Sequence, residues 1–313
     1  MTRLVVALAG VMAAFASVGR PAGQDFDPAA VRAAQRKIDR EFKDSRLSPF
    51  TAVAYQYFET GQAWRVALAG RGVTFSPLST LQGVADLAFD GRAFWITPVN
   101  GGKELTLHGK SATGDVDTAI RTPLVARTKL GSGDIVSLGP LLLETFARAD
   151  AGGAIVHDPD SASSKAFSGL KWFAPDVTYR VSATFARFDN PDKVTVATSR
   201  GLQKEYFRLG TFTFIVEGKP QKLVALASSP TPKPGDELFI AFRDATTGHE
   251  SYEVGRYLNL KFEAPERPYV LDFNLATNPY CAYSPHFNCV IPPRENTLTV
   301  AIRAGEMRYP RSH

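Results

Sequence analysis

From residue 50 onward the sequence alternates with a period of two. β-branched and aromatic residues take turns with polar ones in short runs, and Gly70-Arg71-Gly72, Asp90-Gly91 and Gly101-Gly102 stand between the runs. A chain of this kind buries one side of each segment only by laying the segments edge to edge, so the pattern predicts sheets. The runs fall into two groups. The first comprises Thr51 to Phe58, Trp64 to Leu68, Val84 to Phe89, Ala93 to Thr97, Glu104 to His108 and Asp134 to Thr145. The second comprises Thr178 to Phe188, Lys193 to Ser199, Tyr206 to Gly210, Thr211 to Glu217, Lys222 to Ala227, Glu237 to Arg243 and Thr297 to Arg303. Asp90-Gly91 has the chemistry of a tight hairpin turn, and Glu217-Gly218-Lys219-Pro220 supplies another. Strand following strand across such turns predicts a mainly β fold of antiparallel, sandwich- or barrel-like sheets. No segment recurs at a fixed period, so a propeller or solenoid has no support.

Residues 26–48 follow a different period. Asp27-Pro28 reads as an N-cap followed by proline at the first helical position. Val31, Ala34, Ile38 and Phe42 then recur at helical spacing, and Ser48-Pro49 ends the segment. One amphipathic helix is expected there, its apolar stripe laid across the outside of a sheet. The small polar stretch Asp158 to Ser164 has no apolar period and reads as an exposed boundary. It divides an N-terminal β region, 49–160, from a C-terminal β domain, 161–313.

The first 20 residues read as a cleavable signal peptide. Arg3 precedes an uncharged run from Leu4 to Val18, too short to span a bilayer, and Ala14-Phe15-Ala16 offers a cleavage site. The expected location is therefore periplasmic or secreted, with no membrane span after leader removal. The formal net charge of +5 comes from singly scattered Lys and Arg, so a nucleic-acid partner is not expected. Cys281 and Cys289 are the chain's two cysteines. In an oxidising compartment they are expected to pair. Closing that loop would remove roughly 2.5 kcal/mol of unfolded-state entropy. A metal site using both thiolates and His286 is the rival, disfavoured because Cys-x7-Cys is not a usual zinc spacing.

The densest chemistry lies late. Asp244-Ala245-Thr246-Thr247-Gly248, Gly255-Arg256-Tyr257-Leu258 and the segment from Asp272-Phe273-Asn274 through Asn278-Pro279, Cys281, Cys289, Pro292-Pro293, Asn296 and Ala304-Gly305-Glu306 form one pattern. This pattern resembles the domain-of-unknown-function 1684 family, densely over residues 237–308 and more loosely back to Phe167. Ser251 stands where similar chains often have Thr, and Ala149 to Gly153 replace basic residues common there. The resemblance implies fold and export but carries no activity.

Arg256, Asp272, Asn274, Asn278, Asn296, Arg303 and Glu306 need several hydrogen bonds each if buried. One reading has Asp and Asn bonding the backbone of an irregular loop, with Arg256 pairing a carboxylate beneath it. The other gathers the seven into a polar pocket for a small-molecule ligand, part of a binding or structural module. An enzyme using Asp272 or Glu306 with Arg256 in acid–base chemistry on a small anionic or carbonyl substrate is the alternative. His108, His157, His249 and His286 show no partner in the sequence. Motifs for serine hydrolysis, zinc proteolysis, dinucleotides or phosphate loops are absent, so no cofactor is expected. Trp172, Phe173, Tyr179, Phe185 and Phe188 read as core, with a sugar-stacking platform as the sharper version.

Overall fold

The computed structural model describes residues 25–99, 105–111, 115–148, 151–201, 203–263 and 268–310. The expected leader, residues 1–20, and the Gly101-Gly102 turn lie outside them. The fold is mainly β, and every ladder between strands among the described residues is antiparallel.

The N-terminal strands form two sheets. One has the order β1-β11-β10-β9-β6-β7, built from β1 (Ala52–Glu59), β6 (Leu105–Lys110), β7 (Val116–Pro123), β9 (Ile135–Leu138), β10 (Leu141–Arg148) and β11 (Ala151–His157). The other has the order β3-β2-β4-β5-β8, built from β2 (Ala63–Ala69), β3 (Gly72–Ser76), β4 (Ala85–Phe89), β5 (Phe94–Pro98) and β8 (Thr128–Leu130). Their facing sides share one core, in which Phe58, Leu87, Phe94 and Ile96 meet Leu138, Leu143 and Val156. The single run expected from Asp134 to Thr145 is two strands, β9 and β10, because Gly139 turns the chain with φ near 60°.

The C-terminal strands form a third sheet, β16-β15-β14-β13-β12-β17. Here β12 is Arg180–Ala197, β13 Gln203–Val216, β14 Lys219–Ala227, β15 Glu237–Phe242, β16 Arg256–Lys261 and β17 Tyr269–Asp272. Four expected runs fuse in pairs into the long strands β12 and β13, joined across an irregularity between Arg187 and Asp192. Thr297 to Arg303, expected as a strand, is none. It alternates buried and exposed residues and places Leu298, Val300 and Ile302 in the core. Among the described residues its backbone-to-backbone hydrogen bonds go to the short stretch after β15, through Leu298 N to Arg243 O and Ala245 N to Val300 O.

The helix α1 (Pro28–Asp44) starts as expected, with the Asp27 carboxylate accepting from Ala29 N at 2.8 Å. Its stripe does not lie on a sheet. Gln35 Nε2 donates to Asn274 O, and Asp39, placed on the polar side by its charge, accepts from Leu170 N and Trp172 Nε1. Phe42 packs edge-on against Tyr280 and Tyr283. The polar stretch at 158–164 is likewise no free loop. Asp158 and Ser161 are buried, Asp158 beneath Arg71, and a short helix α2 (Ala162–Ala166) follows.

Candidate functional site

The first cluster is built around Arg256, which β16 carries into the interior. Its side chain and that of Asp244 are each 1% exposed, and Nη2 meets Asp244 Oδ2 at 2.7 Å. The two Nη groups also donate to backbone, Nη2 to Ile302 O at 2.7 Å and Nη1 to Ala304 O and to Glu306 O, while Nε is buried without a hydrogen-bond partner. The guanidinium lies against the rings of Phe173 and Phe242. Asp244 in turn accepts from Thr246 N at 2.7 Å and Ile302 N at 3.2 Å, while the Thr246 hydroxyl sits 2.8 Å from Ser251 Oγ. One buried ion pair thus ties the turn after β15 to the chain's final segment.

The other candidate residues are occupied in the same manner. Asp272 Oδ1 accepts both amide groups of Asn274, backbone at 3.1 Å and side chain at 2.9 Å, and its other oxygen faces Arg180 Nε at 3.4 Å. Asn274 exchanges two hydrogen bonds with the backbone of Asp176. Asn296 accepts from Val224 N and donates to Val224 O and Ala241 O. Glu306 accepts from Asn278 N and from the Tyr283 hydroxyl; burial pushes its carboxyl up to about 7. Asn278 Nδ2 donates to Met307 O. Arg303 stands apart, exposed and forked onto Glu250 at 2.9–3.0 Å.

The seven residues therefore do not converge on one opening. Neither Asp272 nor Glu306 offers a free carboxylate beside Arg256, so the acid–base arrangement has no geometry here. The expected disulfide is also corrected: Cys281 and Cys289 are buried and are not bonded to each other. A short turn at Tyr280–Ala282 presents the Cys281 backbone N–H to Cys289 Sγ at 3.2 Å. Its side-chain hydrogen bond to Cys281 and burial push the Cys289 thiol up, so it stays protonated and unreactive. Among the described residues no group of His, Cys, Asp and Glu is placed to hold a metal.

The open space lies elsewhere, in a cleft of about 530 Å³ between the first N-terminal sheet and the loops of the C-terminal one. The register of the sheet explains its wall. Tyr55 on β1 stands opposite Ile155 on β11, which stands opposite Glu144 on β10; Tyr57 and Phe146 both stand opposite Gly153. These residues share the face turned away from the sandwich core. A Cβ on Gly153 would collide with the Phe146 ring, so glycine there lets Phe146 lie close on the sheet. The opposing wall is Lys204 from β13 with Tyr280, His286, Phe287 and Asn288 from one loop. A second cleft, of about 430 Å³, shares Lys204, Tyr280, Phe287 and Asn288 with the first and extends toward Tyr206 and Phe239. Of the seven candidates, only Asn278 lines either cleft.

Several groups in the first cleft are electrostatically set. The Tyr55 hydroxyl is buried without a hydrogen-bond partner, and burial pushes its pKa up to about 12 despite Arg200, which lies 4.8 Å from its ring centre. Burial works to raise the Glu144 carboxyl, but His157 and Lys110 outweigh it and hold the group below its ordinary range. His157 is fully buried, its Nε2 3.6 Å from Glu144 and its Nδ1 2.9 Å from Thr51 Oγ1. Burial, Arg200 and His157 lower His286.

Residues 165–307 match the model of a family described as "Protein of unknown function (DUF1684)". Among solved structures, an uncharacterised protein of Haloarcula marismortui, determined by NMR in solution, is 37% identical over 48% of this chain and 82% of that one, with a TM-score of 0.40. Residues 165–307 belong to the DUF1684 family. A search of curated proteins gave no match. The Arg256 cluster lies inside the DUF1684 residues, as does the Tyr280–Asn288 wall of the cleft, whereas Tyr55, Tyr57, Glu144 and Phe146 precede them.

Sequence reading missed these wall residues because each looks like an ordinary strand position. Only pairing reveals which side of the sheet it takes, since a strand turned by one residue would bury it. His108 and His157 acquire partners from distant strands, Ser137 and Glu144, which linear spacing does not show. Of the aromatic residues read as core or platform, Tyr179 and Phe185 are core, and Trp172 serves Asp39.

Proposed function

We propose that this DUF1684 protein is an exported, non-catalytic small-ligand binding module, and that its ligand site is the cleft between the two β units. The observation that carries the reading is the buried, unpartnered Tyr55 hydroxyl in a cleft walled by Tyr57, Phe146, Tyr280 and Phe287. A buried hydroxyl without a partner costs free energy that a ligand group recovers on binding. Aromatic walls with a few fixed polar groups, in a volume between about 300 and 1,000 Å³, are the ordinary make-up of small-molecule sites. Tyr280 is 47% and Phe146 39% exposed, which leaves apolar ring surface open to a ligand. The uncharged run after Arg3 supports export.

Thermal-shift screening of the wild type, Tyr55→Phe and Phe146→Ala against a metabolite collection tests the site. A ligand of the native state raises the midpoint. Hits are expected to shift the wild type and to lose most of that shift in Phe146→Ala; compounds that shift all three chains equally, or an absence of hits, would count against the site. Export is tested by the mass of the protein recovered from its producing cells, which should lack the first 16–20 residues.

A further inference from the structure

The cleft's charged side chains are already engaged by groups of the protein. Lys204 Nζ donates to Asn288 O at 2.9 Å. The Arg200 guanidinium donates to Pro285 O and rests against the Tyr55 ring. Glu144 pairs with Lys110 on one side and faces His157 Nε2 at 3.6 Å on the other. The His157 ring is itself fixed. Thr51 has a single hydroxyl hydrogen, and Ser48 O and Arg46 O lie 2.7 and 3.0 Å from its oxygen to take it. His157 Nδ1 must then be the donor to Thr51, and Nε2 lies 3.6 Å from Glu144 without a hydrogen bond. His286, with its pKa lowered, is neutral at neutral pH. The charged side chains around this cleft are thus each held by groups of the protein itself.

What remains on offer is aromatic surface and hydroxyl-sized hydrogen-bonding groups. Tyr57, Phe146, Tyr280 and Phe287 present rings, two of them more than a third exposed. Tyr55 Oη and the held carboxylate of Glu144 stand among those rings. A molecule that complements both has apolar C–H faces and a rim of uncharged hydroxyls. Resting on the cleft as the ligand site, we infer that its ligand is a neutral saccharide, stacked on Phe146 and Tyr280 with hydroxyls directed to Glu144 and Tyr55. The adjoining cleft, which shares Tyr280 and Phe287, gives room for a further sugar unit.

The test uses the whole chain on a printed array of neutral, acidic and amino glycans, with the apolar aromatic 1-naphthol as a separate titrant. Neutral glycans should be bound, and titration of the best of them should weaken about tenfold in Phe146→Ala, the scale of one lost ring contact. Tyr55→Phe should weaken it several-fold, with the circular-dichroism melting midpoints of both variants close to wild type. Binding of acidic glycans alone, or Phe146-dependent binding of 1-naphthol with no glycan bound, overturns the saccharide inference while leaving the cleft as a ligand site. If nothing binds in a Phe146-dependent way, the ligand site itself falls and the inference falls with it.

Discussion

The Glu306 carboxyl forms no ion pair among the described residues. Its two oxygens accept from Asn278 N and Tyr283 Oη, yet burial still lifts its pKa from an ordinary 4.5 to about 7. The folded protein therefore keeps this proton over a range in which the unfolded chain has lost it. The resulting stability is full below about pH 4.5 and is lost as pH rises through about 7, a change of roughly 3 kcal/mol. Urea denaturation from pH 4 to 8 should show this decline in the wild type and a flatter profile in Glu306→Gln; identical profiles would remove Glu306 as the source. Gly305, beside it, has φ near 77°, and a Cβ there would stand 2.6 Å from two backbone carbonyls, Phe273 O and Ala276 O. The Ala-Gly-Glu ending is thus intelligible residue by residue. Its hydrogen-bonding demand was legible in the sequence; the direction of the Glu306 side chain was not, because its donors, Asn278 N and the Tyr283 hydroxyl, lie 28 and 23 residues away in the chain.

At the scale of elements, the sheet of the C-terminal half is incomplete between β14 and β15, which pair only at Leu226 and Phe239. The Asn296 side chain stands in for the missing ladder by bonding Val224 N, Val224 O and Ala241 O. Asn296→Ala would leave three buried backbone groups without partners, and a loss of about 2–4 kcal/mol is expected. Equilibrium denaturation measures it, and a loss under about 1 kcal/mol would show that water or the strands themselves fill the gap. Strand existence was readable from period two, and so were the Asp27 cap and the hairpin at Asp90-Gly91. Less readable were the fusions into β12 and β13, since an irregularity continues a strand where local pattern stops. β11 escaped notice because Gly152 and Gly153 weaken its apolar pattern, although those glycines make room for Phe94 on one face and Phe146 on the other. Thr297 to Arg303 has a strand's alternation without a strand's neighbours, so the sequence alone could not separate the two.

At the scale of the molecule, tasks are divided. Most of the residues that mark the DUF1684 family cluster behind the C-terminal sheet, buried and engaged with one another and with backbone, and hold the chain's last segment against the core. The open cleft lies instead where that half meets the N-terminal sandwich, and one of its walls comes from residues before the family segment. Motif density therefore pointed to the framework, whereas the cleft came from the juxtaposition of two β units. The most direct test of this division is paired urea denaturation of Arg256→Ala and Phe146→Ala. Removing Arg256 strands the buried Asp244 carboxylate, for which a loss of about 3–5 kcal/mol is expected. Phe146→Ala, at a partly exposed ring, should stay within about 1 kcal/mol of wild type. An Arg256→Ala chain as stable as the wild type would contradict the account, because the family's residues would then serve something other than the fold.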